Sequence, residues 1–173
     1  MLSLSKNMRL RGLLIAAATL GVGGAQAGER LTLPDIDRVV VRKAERTLTV
    51  YAAGEPVHTF ADIQLGDEPE GAKRFQGDER TPEGRYTIDY GNPDSGYHLS
   101  LHVSYPDAAD VAFAQAHGRS PGGDIFIHGQ PNDWDDEGRV PGDWTDGCIA
   151  LADEEIEALW QAVPDGTPID ILP

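Results

Sequence analysis

The chain of 173 residues has a single cysteine, Cys148, and few cations, with 14 Lys and Arg against 29 Asp and Glu. One cysteine rules out an internal disulfide. A formal net charge of −15 repels phosphate backbones and anionic headgroups, which argues against nucleic-acid binding and against a polybasic membrane patch. The sequence also lacks an apolar run of the roughly 18 to 20 residues that a bilayer span requires. No repeat, low-complexity tract or Pro/Gly/Ser-rich linker divides it.

The first residues have a layout of their own. Lys6, Arg9 and Arg11 precede an apolar stretch from Leu13 to Val22, and small residues end it at Ala25-Gln26-Ala27. This is the pattern of a secretory signal peptide with cleavage before Gly28. Residues 1–27 are therefore expected to be removed, leaving residues 28–173 as one exported domain, in the periplasm or cell envelope, with no membrane span. Removal takes three basic residues and no acidic one, moving the formal charge to −18. In an oxidising compartment an idle exposed thiol is a liability, so a lone cysteine in an exported chain points to a working thiol. The alternative is a buried structural cysteine.

Between these features the pattern is mostly β. Arg38 to Lys43, Thr47 to Ala52 and Pro56 to Leu65 are short β-branched runs separated by turns, as in an antiparallel meander. Thr81-Pro82-Glu83-Gly84 reads as a turn feeding a strand from Arg85 to Asp89, and Tyr97 to Val103 and Asp124 to His128 read as two more. Asp107 can cap a helix to about His117, closed by Gly118. Ile156, Leu159, Trp160 and Val163 recur at helical spacing from about Asp153 to Val163, and Thr167 to Leu172 closes the chain as a strand. His98 and His102, four apart in an expected strand, would be ~13 Å apart and cannot form a neighbouring metal pair. His58 and His117 are expected at the surface or in packing.

The chemistry gathers near Cys148. His128 ends an apolar run, is followed by Gly129, and precedes Trp144-Thr145-Asp146-Gly147-Cys148-Ile149-Ala150. An imidazole is the side chain best able to activate a thiol near neutral pH. All five histidines precede Cys148, which excludes papain-like and cell-wall peptidase orders in which the cysteine comes first. A sortase-like site needs an arginine after the cysteine, and the last arginine is Arg139.

His128-Gly129 followed by Thr145-Asp146-Gly147-Cys148-Ile149 resembles the signature of the YkuD-type L,D-transpeptidases, and Thr81-Pro82-Glu83-Gly84 resembles that family's Thr-Pro-x-Gly turn. The resemblance covers most of Asp37 to Pro173. It implies a mainly β, sandwich-like catalytic domain with about two short helices, acting on peptidoglycan stem peptides without cofactor or metal. It also implies that Cys148 attacks the carbonyl at the L-centre of a diamino acid, forming a thioester. The acyl group then passes to an amine acceptor: a diamino acid, a D-amino acid or a protein lysine. His128 would take the thiol proton and hold Cys148 as a thiolate, with the Gly129 carbonyl orienting the ring. The N–H groups of Gly147 and Cys148 are candidates for the oxyanion hole, with Thr145, Asp146 and Trp144 beside the substrate.

Two positions depart from the family pattern: Asp146 and Ala150 stand where many members carry His and Arg. A cationic contact to a substrate carboxylate is thereby lost, and hydrolysis, as in an endopeptidase, carboxypeptidase or amidase, becomes the alternative to transfer. A non-catalytic wall-binding module is the alternative of another class. The loop between the pair, with Asp133, Asp135, Asp136, Glu137, Asp143, Trp134 and Trp144, reads either as a solvated surface loop or as an acidic lid that draws in a cationic acceptor.

Overall fold

The computed structural model describes residues 30–134 and 138–173, so the expected signal peptide and Asp135, Asp136 and Glu137 lie outside the described residues. The rest forms eight strands and two helices in the order β1 (Arg38–Arg42), β2 (Thr47–Ala52), β3 (Glu55–Ala61), β4 (Gly84–Asn92), β5 (Ser100–Val103), α1 (Ala108–Ala116), β6 (Ile125–His128), β7 (Ile149–Ala150), α2 (Asp153–Ala162) and β8 (Thr167–Leu172). The strands make one sheet in the order β3-β2-β1-β8-β4-β5-β6-β7. The β1–β8 and β6–β7 pairs are parallel and the others antiparallel.

The alternation seen in the sequence sets the register. Val39 and Val41 face Val50 and Leu48 on one side and Ile169 and Ile171 on the other, all buried. A one-residue slip would turn every one of these side chains to the opposite face of the sheet, so the apolar pattern specifies the pairing. Beyond β3 the chain turns at Asp62, whose φ is 54°, and crosses to the far end of the sheet. There Gln64 bridges Ala150 and Gly66 bridges Thr145, so the two ends of the sheet meet beside Cys148. The mainly β, sandwich-like architecture with two short helices follows from this curl.

Both helices end where their capping chemistry places them. Asp107 accepts the N–H groups of Ala109 and Asp110, while the Asp110 carboxylate accepts the Asp107 N–H, a reciprocal box that starts α1. In α2 the Ala152 cap has no polar side chain, and the Glu155 carboxylate takes its N–H instead. Helix α2 buries Ile156, Ala158, Leu159 and Ala162 against the sheet.

Three expectations shift. The strand begun near Pro56 stops at Ala61 rather than Leu65, because the chain must turn to reach Ala150. The strand expected from Tyr97 begins only at Ser100, and His98 has a φ of 63°, so His98 and His102 do not share a strand face. His98 instead bonds Glu157 at 3.0 Å, and His102 bonds Asp89 at 2.6 Å. The two-residue β7 was not anticipated.

Lys43 is 2% exposed, and its ammonium donates to the Gly71 carbonyl (2.6 Å), the Thr81 carbonyl (3.1 Å) and Glu83 Oε1 (2.8 Å). Three donors meet three acceptors, so this buried charge is satisfied and pins the Thr81–Gly84 turn to β1. Lys43→Met leaves two carbonyls and a partly buried carboxylate without their partner. It is expected to lower unfolding free energy by about 3 to 5 kcal/mol, measurable as a shifted urea midpoint with an unchanged slope.

Candidate active site

Strand β6 carries His128 at its end and β7 begins just after Cys148, and their parallel pairing sets Ile127 beside Ile149 and His128 beside Ala150. This neighbouring register brings together two residues that are twenty positions apart in the chain. Both line one open cleft of about 550 Å³, together with Trp144, Thr145 and Asp146. The two also line a smaller lobe of about 270 Å³, walled by Ser95, Ser100 and Phe126.

His128 is buried, and its Nδ1 lies 2.7 Å from the Gly129 carbonyl oxygen. A carbonyl can only accept, so Nδ1 carries the hydrogen and donates it, which leaves Nε2 with a free lone pair. The ring is held between Tyr97, at 4.6 Å between centroids, and Trp144, at 5.6 Å. Gly129 admits no side chain, since a Cβ there would meet Asp153 Oδ1 at 2.6 Å and His98 Cβ at 2.8 Å.

Burial pushes the Cys148 thiol up to about 11; the Asp146 and Asp124 carboxylates add to this, while the Phe126 N–H and the Lys73 ammonium oppose it. Burial also holds the His128 imidazole below its ordinary value of 6.5, against the contrary pull of the Gly129 carbonyl. Both shifts run toward the neutral forms, a neutral thiol beside a neutral imidazole, and so against the ion pair expected from the sequence. Removal of water disfavours both charges, and the local carboxylates disfavour the thiolate further. Phe126 N–H points at Cys148 Sγ at 3.4 Å, and the thiol lies 3.6 Å from the Asp124 carbonyl oxygen.

The turn before Cys148 is built on Thr145. Its buried hydroxyl donates to the Cys148 carbonyl at 2.8 Å and accepts the Gly147 N–H at 3.1 Å. That bond engages the Gly147 N–H and leaves the Cys148 N–H as the freer of the two oxyanion-hole candidates. Thr145 thus shapes the turn rather than contacting substrate through its hydroxyl. Asp146 is exposed on the cleft wall, and Trp144 stands over the His128 ring. Ala150, where an arginine was missed, is fully buried in β7 and faces no solvent.

The acidic loop departs from the lid expectation in its described parts. Asp143 binds Arg46 at 2.6 Å and the Leu65 N–H at 2.8 Å, and Arg139 binds Glu155 at 2.5 Å. A buried pair, Gln64 and Gln130, ties the same loop down by bonds to Val140 and Gly142. The carboxylates that do wall the cleft are Glu79, Asp124 and Asp146. Sequence reasoning did not single out Glu79, Asp124, Tyr97 or Lys73 as site residues. Nothing in their local pattern marks them, because only the folded approach of the 73–81 segment to β6 and β7 brings them together.

The chain belongs to the L,D-transpeptidase catalytic domain family, YkuD, whose family model matches residues 36–171. Among individual relatives it is 28% identical over 130 residues to YafK of Escherichia coli strain K12, itself provisionally assigned as an L,D-transpeptidase; the match takes in 72% of this chain and 46% of YafK. The fold is similar to that of the helical cell shape determining protein Pgp2 from Campylobacter jejuni, with a TM-score of 0.60 and 27% identity over 83% of this chain and 51% of that one. Bdellovibrio bacteriovorus Bd1075 shares the fold at a TM-score of 0.56 and 22% identity, covering 80% of this chain and 48% of its own. The chain thus spans about half the length of these relatives.

Proposed function

We propose that this domain is an exported cysteine acyltransferase acting on peptidoglycan stem peptides, with Cys148 as nucleophile and His128 as its base. The observation that carries the proposal is the His128 Nδ1–Gly129 carbonyl bond, which turns the Nε2 lone pair into a base on the cleft that Cys148 also lines. Residues 28–173 act as the single catalytic domain after the leader is removed.

In the first half-reaction the thiol proton passes to His128 Nε2 as Sγ bonds to the carbonyl carbon at the L-centre of the diamino acid. The developing oxyanion is met by the Cys148 N–H. Collapse of the tetrahedral species breaks the C–N bond, and His128 returns its proton to the departing amine of the terminal D-residue. The thioester is then attacked by an amine, which gives a proton to His128 as the thiol leaves and takes it back. Because both partners start neutral, the proton moves as the S–C bond forms, and no free thiolate has to persist in the site. The three carboxylates on the cleft wall draw in an ammonium acceptor, which loses one proton to solvent before the free amine attacks, and this supports transfer over hydrolysis.

Carbapenem treatment followed by mass spectrometry tests the assignment. One adduct is expected, on the peptide bearing Cys148, and none in Cys148→Ala; an adduct elsewhere, or no adduct, would remove the nucleophile. Incubation with stem tetrapeptide and a diamino acceptor is expected to yield cross-linked product, whereas only shortened peptide would identify a hydrolase.

A further inference from the structure

Lys73 is a cation placed where the sequence pattern left none. It is 4% exposed, yet it lines the cleft that holds Cys148 and His128, and it is the sole Lys or Arg among the lining residues. A lysine so deeply buried needs acceptors, and among the described residues its ammonium is met by one side chain, Asp78 Oδ1 at 3.0 Å. Lys43, equally buried, has three acceptors. An ammonium has three hydrogens, so Lys73 keeps donors to spend on whatever enters the cleft.

Its anchor is fixed independently of it. Asp78 Oδ2 accepts the N–H groups of Arg74 (2.6 Å) and Phe75 (2.9 Å), and Oδ1 also accepts that of Arg80 (3.2 Å). The Lys73 N–H is itself bonded to the Thr81 carbonyl at 3.3 Å. Asp78 therefore serves as the hub of the turn, and its carboxylate holds the lysine in place as well as partnering it. Lys73 and Cys148 line the same cleft, and the ammonium acts to lower the pKa of the thiol.

We propose that Lys73 is the residue that binds a carboxylate of the donor peptide, taking the part that an arginine two positions after the cysteine would play. An arginine there could not do so in this fold, because Ala150 is wholly buried in β7. Glu79, Asp124 and Asp146 on the same wall repel a carboxylate, so Lys73 is the point in the cleft where one can sit. This rests on the acyltransferase reading for its ligand. A stem peptide built on diaminopimelate offers two such groups near the scissile bond: the carboxylate of the terminal D-residue and that of the D-centre of diaminopimelate.

The test measures binding by calorimetry in the Cys148→Ala protein, where turnover plays no part. Three tetrapeptides are used: the native acid built on diaminopimelate, its C-terminal carboxamide, and one with lysine in place of diaminopimelate, which lacks the D-centre carboxylate. Adding Lys73→Met is expected to weaken binding of the acid about 10- to 100-fold, and Lys73→Arg is expected to restore most of it. The peptide whose affinity no longer depends on Lys73 names the carboxylate that is read. Equal weakening of all three peptides, or none, overturns the proposal, since a lysine that only braces the turn would act on them alike. If the preference holds but wild-type protein forms no acyl-enzyme, the carboxylate site stands and the acyltransferase reading falls.

Discussion

Replacing His128 by asparagine is expected to slow acylation of Cys148 by about 10³- to 10⁴-fold at pH 7 and to change the shape of its pH dependence. Asparagine can still donate to the Gly129 carbonyl, so the local backbone keeps its bond while the base is lost. Without the base, reaction depends on thiol that has ionised unaided. With the thiol near 11, about one molecule in 10⁴ is thiolate at pH 7. The variant's rate should therefore rise close to tenfold per pH unit through the alkaline range. The wild type should behave differently. Its imidazole is held below 6.5, so it is already neutral and competent at pH 7, and the rate should be flat there and fall only as acid protonates His128. Stopped-flow acylation by a carbapenem from pH 5 to 10 separates the two profiles. A variant with a flat profile and a near wild-type rate would show that the thiol is activated by something else.

The same numbers explain why the sequence supplied the pair but not its electrostatic state. The order His128-Gly129 then Gly147-Cys148 sufficed to nominate the residues, because a thiol and an imidazole need only meet. Whether they meet as ions depends on how much water reaches them and on the carboxylates around them, and those are properties of the fold. Asp146, two residues before the cysteine, shows its effect in the sequence, whereas Asp124 comes beside the thiol only because β6 and β7 pair, so its effect could be foreseen only once that pairing was known.

Local patterns were a good guide wherever one segment decides its own structure. The alternation of Leu48 and Val50, the Asp107 cap and the spacing of Ile156 and Leu159 each encode an element, and each element is present. The failures share a cause. Strand β7 is two residues long, too short for any periodicity, and exists because β6 and Gln64 supply its partners. Asp143 read as a free lid charge because Arg46, its partner, lies 97 positions away. Lys73 sits in an ordinary charged loop in sequence and in the wall of the cleft in space, where its burial takes on meaning.

Gly147→Ala is expected to be a severely damaging single-methyl change at the site, and the reason is a meeting of three backbones. Gly147 has a φ of 124°, and a Cβ added there would lie 2.5 Å from the Arg80 carbonyl oxygen and 3.3 Å from Ile125 Cδ1. Gly66 is wedged in the same way, its added Cβ meeting the Glu79 carbonyl oxygen at 2.1 Å and Gly147 Cα at 3.1 Å. The irregular segment at Glu79–Arg80, where Glu79 has a φ of 55°, thus passes between two glycines, and it cannot retreat. Asp78 holds the Arg80 N–H, the Thr81 hydroxyl accepts the Gly66 N–H at 3.1 Å, and Lys43 holds the Thr81 carbonyl. The turn carrying Cys148 must move instead, taking with it the Thr145 bond that fixes its shape. Strain and overpacking together should cost about 2 to 5 kcal/mol. A displacement of the thiol near 1 Å should slow acylation by about 10²-fold or more in the protein that remains folded. Gly142→Ala is the control, since Gly142 also has a positive φ, 74°, but nothing within 4 Å of its added Cβ. It should show only the smaller conformational penalty, about 1 kcal/mol, and near wild-type acylation. If the two variants proved alike in urea midpoint and acylation rate, the close approach of Arg80 to Gly147 would not be what holds the nucleophile in place.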